Sequence, residues 1–222
     1  MRIRKKKWTE RELASSPRMI HDPSEYKGCW HKYFHNSNPI HLELGCGKGR
    51  FITALSSRCT EINYLAFERD RVVIATGVRA SAGLECSLGF IVGEARDLPN
   101  YFDRGEIRRI YLNFSDPWPG KKKWAKRRLT HGAFLDTYKE LMGDNGEIFF
   151  KTDNKALFEF SLNQFCEKGW NLRNIFLDLH NSKYYGRTSA EDIRRENIMT
   201  EYEERFHSMG QPIYSCEAYY LN

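Results

Sequence analysis

Short apolar blocks rich in β-branched and aromatic residues recur along the chain. Ile40–Leu44, Ile62–Phe67, Ser87–Val92, Ile107–Phe114 and Glu147–Lys151 read as strands, with Asn171–Leu179 and Ile213–Leu221 as later ones. Between them lie stretches with helical spacing: Arg50–Ser57, Arg71–Ser81, Gly132–Met142 and Leu157–Glu167. In the last, Phe158, Leu162 and Phe165 fall on one helical face; Gly143 stops the one before it. Strand and helix alternate, which predicts an α/β fold with a mostly parallel sheet covered on both faces. The last two strands have only the short acidic stretch Thr200–Ser208 before the final one, too little for a parallel crossover, so an antiparallel last strand is expected. The polar stretch Asn181–Met199 breaks the rhythm and reads as a long surface loop or lid.

In such sheets, ligands bind outside the carboxyl ends of the strands. The first strand runs into "ELGCGKG", with glycines at 45, 47 and 49 before a helix. Gly45 and Gly47 let the backbone turn sharply and approach a ligand. A dinucleotide site would want a later third glycine and a pyrophosphate at the helix start. Glu43, two residues before Gly45, suits a cationic ligand better. Glu68 ends the second strand, where a carboxylate can hold ribose hydroxyls, and Glu94 follows the third, within reach of an adenine. Three acids at successive strand ends after a glycine turn predict S-adenosylmethionine, which carries an ammonium and a sulfonium and no phosphate.

Charge adds a partner. The formal net charge is +6, yet residues 1–7 carry five positive charges and six of the eight residues from Lys121 to Arg128 are Lys or Arg, so the remainder is net −5. Two basic patches on an acidic body predict a polyanion partner. One patch adjoins "NFSDPWP", Asn113 to Pro119. Asp116 follows the fourth strand and opens onto the same crevice, and Trp118 offers a flat face for a base. The length of 222 residues, with 41% apolar and 29% charged, suits one sizeable globular domain. The division expected is a basic N-terminal arm and entry segment, 1–38, before the main domain, 39–222. No apolar run is long enough to span a bilayer and no hydrophobic signal region follows the basic start, so a cytoplasmic protein is expected. None of the six cysteines forms a CxxC pair or zinc-type cluster, and no His has ligand spacing, so no metal is expected. Cys46 reads as a small residue in a tight turn, and His131 as part of a helix start.

"LELGCGKGRF", "NFSDPWP", "KRRLTH", "FKTDN" and "MTEYEERF", in that order along nearly the whole chain, resemble the bacterial tRNA (guanine-N7)-methyltransferases. The resemblance implies a class I, Rossmann-like methyltransferase fold with a seven-stranded sheet and an antiparallel last strand. It implies methylation of a guanine in the tRNA variable loop. It assigns Glu43, Glu68, Glu94 and Asp116 to the cofactor and Asp116 to catalysis. Lys121, Asp153, Thr200, Glu201, Tyr202 and Glu203 match substrate positions. Lys123, Lys126, Arg127 and Arg128 lie in the RNA-contact segment. Gly120 is an added residue between "DPWP" and the basic run, and Tyr185–Asn197 is longer than the corresponding link. The expected partner is tRNA, with the protein a monomer or homodimer and no membrane involved. Asp116, Asp153 and Glu203 all stand as candidates to read the guanine edge. A nicotinamide-dependent oxidoreductase is disfavoured by Glu43 and the glycine spacing. A non-catalytic RNA-binding protein is disfavoured by the intact acids and glycines.

Overall fold

The computed structural model describes residues 7–182 and 198–220. The elements run α1 (Lys7–Ser15), α2 (His31–Phe34), β1 (Ile40–Leu44), α3 (Arg50–Arg58), β2 (Asn63–Glu68), α4 (Arg71–Ala80), β3 (Leu88–Val92) and α5 (Leu98–Tyr101). They continue with β4 (Ile107–Asn113), α6 (Lys122–Ala125), α7 (Gly132–Met142), β5 (Glu147–Thr152), α8 (Lys155–Glu167), β6 (Asn171–Phe176), α9 (Glu201–Ser208) and β7 (Tyr214–Tyr219). Seven strands form one sheet in the order β3-β2-β1-β4-β5-β7-β6. All pairings among β1 to β5 are parallel, and β7 runs antiparallel to both β5 and β6. All five residues of β1 are buried, as expected of a central parallel strand covered on both faces.

One core cluster lies on the α5, α7 and α8 side, around Leu42, Phe67, Ile110 and Phe150. The other lies under α1, α3 and α4, around Phe51, Ile74, Phe90 and Tyr111. Caps set several boundaries. Asn154 accepts from the Leu157 amide at 2.8 Å and starts α8 two residues before its expected beginning. Asp70 caps α4, and His131 caps α7 by accepting from the Ala133 amide at 3.2 Å. The expected strand over Asn171–Leu179 ends at Phe176, and its register slips between Arg173 and Phe176, where Asn174 takes φ of +50°.

The segment 7–38, expected as an arm and entry segment, packs on the main domain over its described part. Leu13, Met19, Ile20 and Trp30 are buried. Phe90 donates to the Arg18 carbonyl at 2.8 Å and accepts from Ile20 at 2.9 Å, so the chain runs briefly beside β3. Trp30 stacks on Phe102 at 5.0 Å and donates to the Tyr101 carbonyl. Of the expected loop Asn181–Met199, residues 183–197 lie outside the described residues. No described helix is long and apolar enough to cross a membrane.

Candidate functional site: the crevice between β1 and β4

β1 leads to β2 on one side of the sheet while its other neighbour is β4, so the strand order reverses between β1 and β4. A crevice opens there at the carboxyl ends. Two polar side chains meet across it: Asn113 Nδ2 at the end of β4 donates to Glu43 Oε1 of β1 at 2.9 Å. Glu43 is only 2% exposed. Burial pushes its pKa up to about 8, against the opposing pull of Asn113, Lys151 and the Ile52 amide. Glu43 Oε2 and Asn113 Oδ1 are both buried without a hydrogen-bond partner among the described residues. Two adjacent buried acceptors lacking a donor are costly unless something supplies one. An ammonium group supplies up to three.

The glycine turn sits beside this pair. The Gly45 and Cys46 amides both donate to the Phe67 carbonyl at 2.9 Å, folding the loop back over β2. Gly47, at φ of +58°, donates to Glu68 Oε2 at 3.1 Å, and a side chain there would project into open space. That space is where a ligand can approach the backbone. On the far side the turn is pressed by α4, where a Cβ on Gly77 would come within 2.6 Å of the Lys48 carbonyl. Glu68 takes one backbone amide on each oxygen, Gly47 on one and Asp70 on the other, which fixes its carboxylate with a lone pair to spare on each. Glu94 is joined to Asp97 in a reciprocal cap and to Arg96 at 2.5 Å, beside a hollow of about 410 Å³ lined by Arg69, Gly93 and Glu94. Cys46 is buried and its thiol is pushed well above its ordinary range by desolvation, which leaves it a packing residue rather than a nucleophile.

After β4 the chain enters a strained loop. Phe114 takes φ of +53° and Trp118 φ of +34°, both unusual for non-glycine residues. Anchors hold it. The Phe114 amide donates to the Lys151 carbonyl at 2.9 Å. Arg128 donates to the Pro117 and Trp118 carbonyls, both at 2.8 Å, and lies over the Phe160 ring. Between these anchors Asp116 is exposed, with Arg69 at 3.3 Å from its carboxylate.

The expected RNA-contact residues divide. Lys121, Lys123, Lys126 and Arg127 are exposed around α6. Arg128 is instead 7% exposed, with its guanidinium spent on carbonyls inside the protein, so it is a staple of the loop rather than an open contact. Trp118, expected to stack on a base, stacks on Trp124 at 5.4 Å and 5°, with Arg127 over both rings at 4.8 Å.

The expected substrate positions divide as well. Asp153 is partly exposed just past β5. Thr200 caps α9 and Glu201 is paired with Lys48. Tyr202 is 61% exposed and its ring lies nearly parallel to Phe114, 6.4 Å away. Glu203, a candidate reader of the base, is fully buried between Lys151 Nζ and His180 Nε2, each at 3.0 Å. Asn113, Lys151, His180, Arg69 and Trp124 were not singled out in the sequence. Asn113, Lys151 and Trp124 stand inside stretches already read for other members, while Arg69 and His180 lie outside every motif. Among the described residues no group of three or more His, Cys, Asp or Glu could hold a metal ion.

Solved structures share this architecture. The chain superposes on the 16S rRNA methyltransferase KamB with a TM-score of 0.61, 12% identity and coverage of 88% of this chain and 94% of that one. An antibiotic-related methyltransferase gives a TM-score of 0.60 at 14% identity with the same coverages. The fold, with its glycine turn and strand-end acids, is that of the class I methyltransferases. A family model described as a putative methyltransferase matches residues 37–216. A tRNA (guanine-N(7)-)-methyltransferase of Bacillus subtilis (strain 168) is 46% identical over 98% of this chain and 98% of its own. One from Streptococcus agalactiae serotype III is 45% identical over 98% and 99%. The chain belongs to the tRNA (guanine-N(7)-)-methyltransferase family.

Proposed function

We propose that this chain transfers a methyl group from S-adenosylmethionine to N7 of a guanine in the tRNA variable loop, with Asp116 orienting the base. The pair of buried, donor-less acceptors on Glu43 and Asn113 carries the cofactor half of this reading, because it calls for a cation at the crevice. When bound, the cofactor supplies an electrophilic methyl on its sulfonium. Glu43 and Asn113 would hold its ammonium, Glu68 its ribose hydroxyls, and the chain around Glu94 its adenine, with Gly45 and Gly47 leaving the room.

Guanine N7 has an in-plane lone pair and no proton. No general base is needed to create the nucleophile, so the protein's contribution is alignment. Asp116 has two acceptor oxygens on a loop whose backbone is braced by Arg128 and Lys151. They suit guanine N1–H and N2–H₂, a pair of donors that adenine does not present. The ion pair with Arg69 does not oppose this role, since both partners are more than half exposed and such pairs are weak. Lys121, Lys123, Lys126 and Arg127 would hold flanking phosphates. Asp153 lies two residues beyond Lys151 and is assigned to the substrate without a base-reading role.

The test is methyl transfer from labelled S-adenosylmethionine to unmodified tRNA, followed by digestion to nucleosides. Label is expected in 7-methylguanosine and is expected to vanish in Asp116→Ala. Near-normal turnover by that variant would remove Asp116 from the reaction. Label in another nucleoside would overturn the choice of base.

A further inference from the structure

We infer that α9 is a strut joining the cofactor half of the crevice to the substrate half, and that Glu203 is its positioning residue rather than a group that touches the base. This rests on the proposed function only for the naming of the two halves. The contacts come from three directions. On one side Glu201 meets Lys48 of the glycine turn at 2.8 Å, and Glu204 takes both guanidinium nitrogens of Arg50, the first residue of α3, at 2.6 Å each. On the other side Tyr202 lies against Phe114, the first strained residue of the Asp116 loop. Underneath, Glu203 is held by Lys151 of β5 and by His180.

Lys151 belongs to both halves of this arrangement. Its carbonyl receives the Phe114 amide and so starts the Asp116 loop, while its ammonium receives Glu203 and so seats α9. The Glu203 carboxylate also takes part in the cap of its own helix: Thr200 Oγ1 accepts from the Glu203 amide at 3.0 Å, and the Thr200 amide points back to Glu203 Oε2 at 3.4 Å. His207 in the last turn of α9 packs its ring 4.3 Å from that of His180. A carboxylate with every side closed by protein has no face left for a nucleobase. The exposed pairs at Lys48 and Arg50 are individually weak. Breaking a buried pair leaves an uncompensated charge, so the Lys151–Glu203 pair decides whether α9 docks.

The strut predicts that loosening α9 weakens both ligands together. Two sets of variants test it, with S-adenosylmethionine affinity measured by calorimetry, tRNA affinity by filter binding, and kcat separately from both KM values. Arg50→Glu sets two acids against each other on the surface and should leave the thermal midpoint nearly unchanged. It is expected to weaken cofactor and tRNA alike by about tenfold, within the usual range of coupling between sites. The exchanged pair Arg50→Glu with Glu204→Arg should restore both. Glu203→Gln keeps the size and removes the charge, and should lower kcat and weaken both ligands. Glu203→Gln that raises only the KM for tRNA, with cofactor affinity intact, would make Glu203 a substrate contact and overturn the inference. Arg50→Glu that weakens only the cofactor, or an exchanged pair that restores neither ligand, would overturn the strut. Because binding is read apart from methyl transfer, a wild-type protein that binds both ligands but labels another nucleoside would refute the proposed base while these comparisons still decide the role of α9. A wild-type protein binding neither ligand would refute both.

Discussion

At the residue scale, Glu43 carries two opposite pH dependences. Its carboxyl titrates at about 8 in the folded protein, chiefly because burial disfavours the charge. An unfolded chain would release that proton in the ordinary carboxylate range. Between the two values the folded state binds more protons than the unfolded one, so this residue's contribution to stability falls as pH rises through that window. Glu43→Gln has no proton to lose. Its unfolding free energy should therefore gain on that of the wild type between about pH 5 and about pH 8, at roughly 1.4 kcal/mol per pH unit. Denaturant titrations across that range check it, and a constant difference would mean that Glu43 is ionised throughout. Cofactor binding runs the other way, since an ammonium favours the carboxylate. Wild-type affinity for S-adenosylmethionine should rise from about pH 6 toward about pH 8 with release of a proton, and Glu43→Gln should bind weakly with no such rise. Proton release is read by calorimetry in buffers of different ionisation enthalpy.

At the scale of elements, the strands were legible because sheets buried on both faces write themselves as apolar runs, and β1 starts and ends where its run does. The antiparallel β7 followed from chain length alone. The loop after β4 was legible only in part. Asp116 and the basic residues were visible as types, but positive φ at Phe114 and Trp118 leaves no mark on residues that are not glycine. Nor does any local signal tell Arg127 from Arg128. What separates them is a partner ten residues away: the Trp118 carbonyl captures Arg128 at 2.8 Å, while Arg127 stays outside over the tryptophan pair. Nor does the acidic stretch announce that Glu203 is buried, since Lys151 and His180, which close around it, lie well apart from it along the chain. Backbone strain of about 1–3 kcal/mol per residue persists only when its surroundings hold it. Arg128→Ala should therefore relax the loop, lowering kcat strongly while leaving the salt dependence of tRNA binding near that of the wild type. Arg127→Ala should do the reverse, keeping most of kcat and reducing the salt slope by about one. Equal salt slopes in the two variants would refute the division.

At the scale of the whole molecule, the question is whether the N-terminal segment is an arm on a finished domain or part of the domain. The basic start and the absence of a strand favoured an arm in the sequence. The amphipathic stretch of α1 is short, and its partner surface on α4 and β3 is formed by residues far along the chain, so nothing local announces its burial. In the fold Leu13 is 1% exposed within the core cluster of Ile74, Val78 and Phe90, and Glu10 and Glu12 pair with Arg71 and Arg79 of α4. Exposed pairs of this kind contribute little, so the apolar contact is the decisive one. Leu13→Ala should cost about 2–5 kcal/mol, as for other large-to-small changes in a packed core. A lowered denaturant midpoint with an unchanged slope would show it. Removing residues 1–6 should act quite differently. It deletes the positive charges of Arg2, Arg4, Lys5 and Lys6 from a chain whose body outside the two basic patches is acidic. tRNA binding should weaken and lose part of its salt dependence. If Leu13→Ala left stability untouched, α1 would be an arm after all, and the domain would begin near β1.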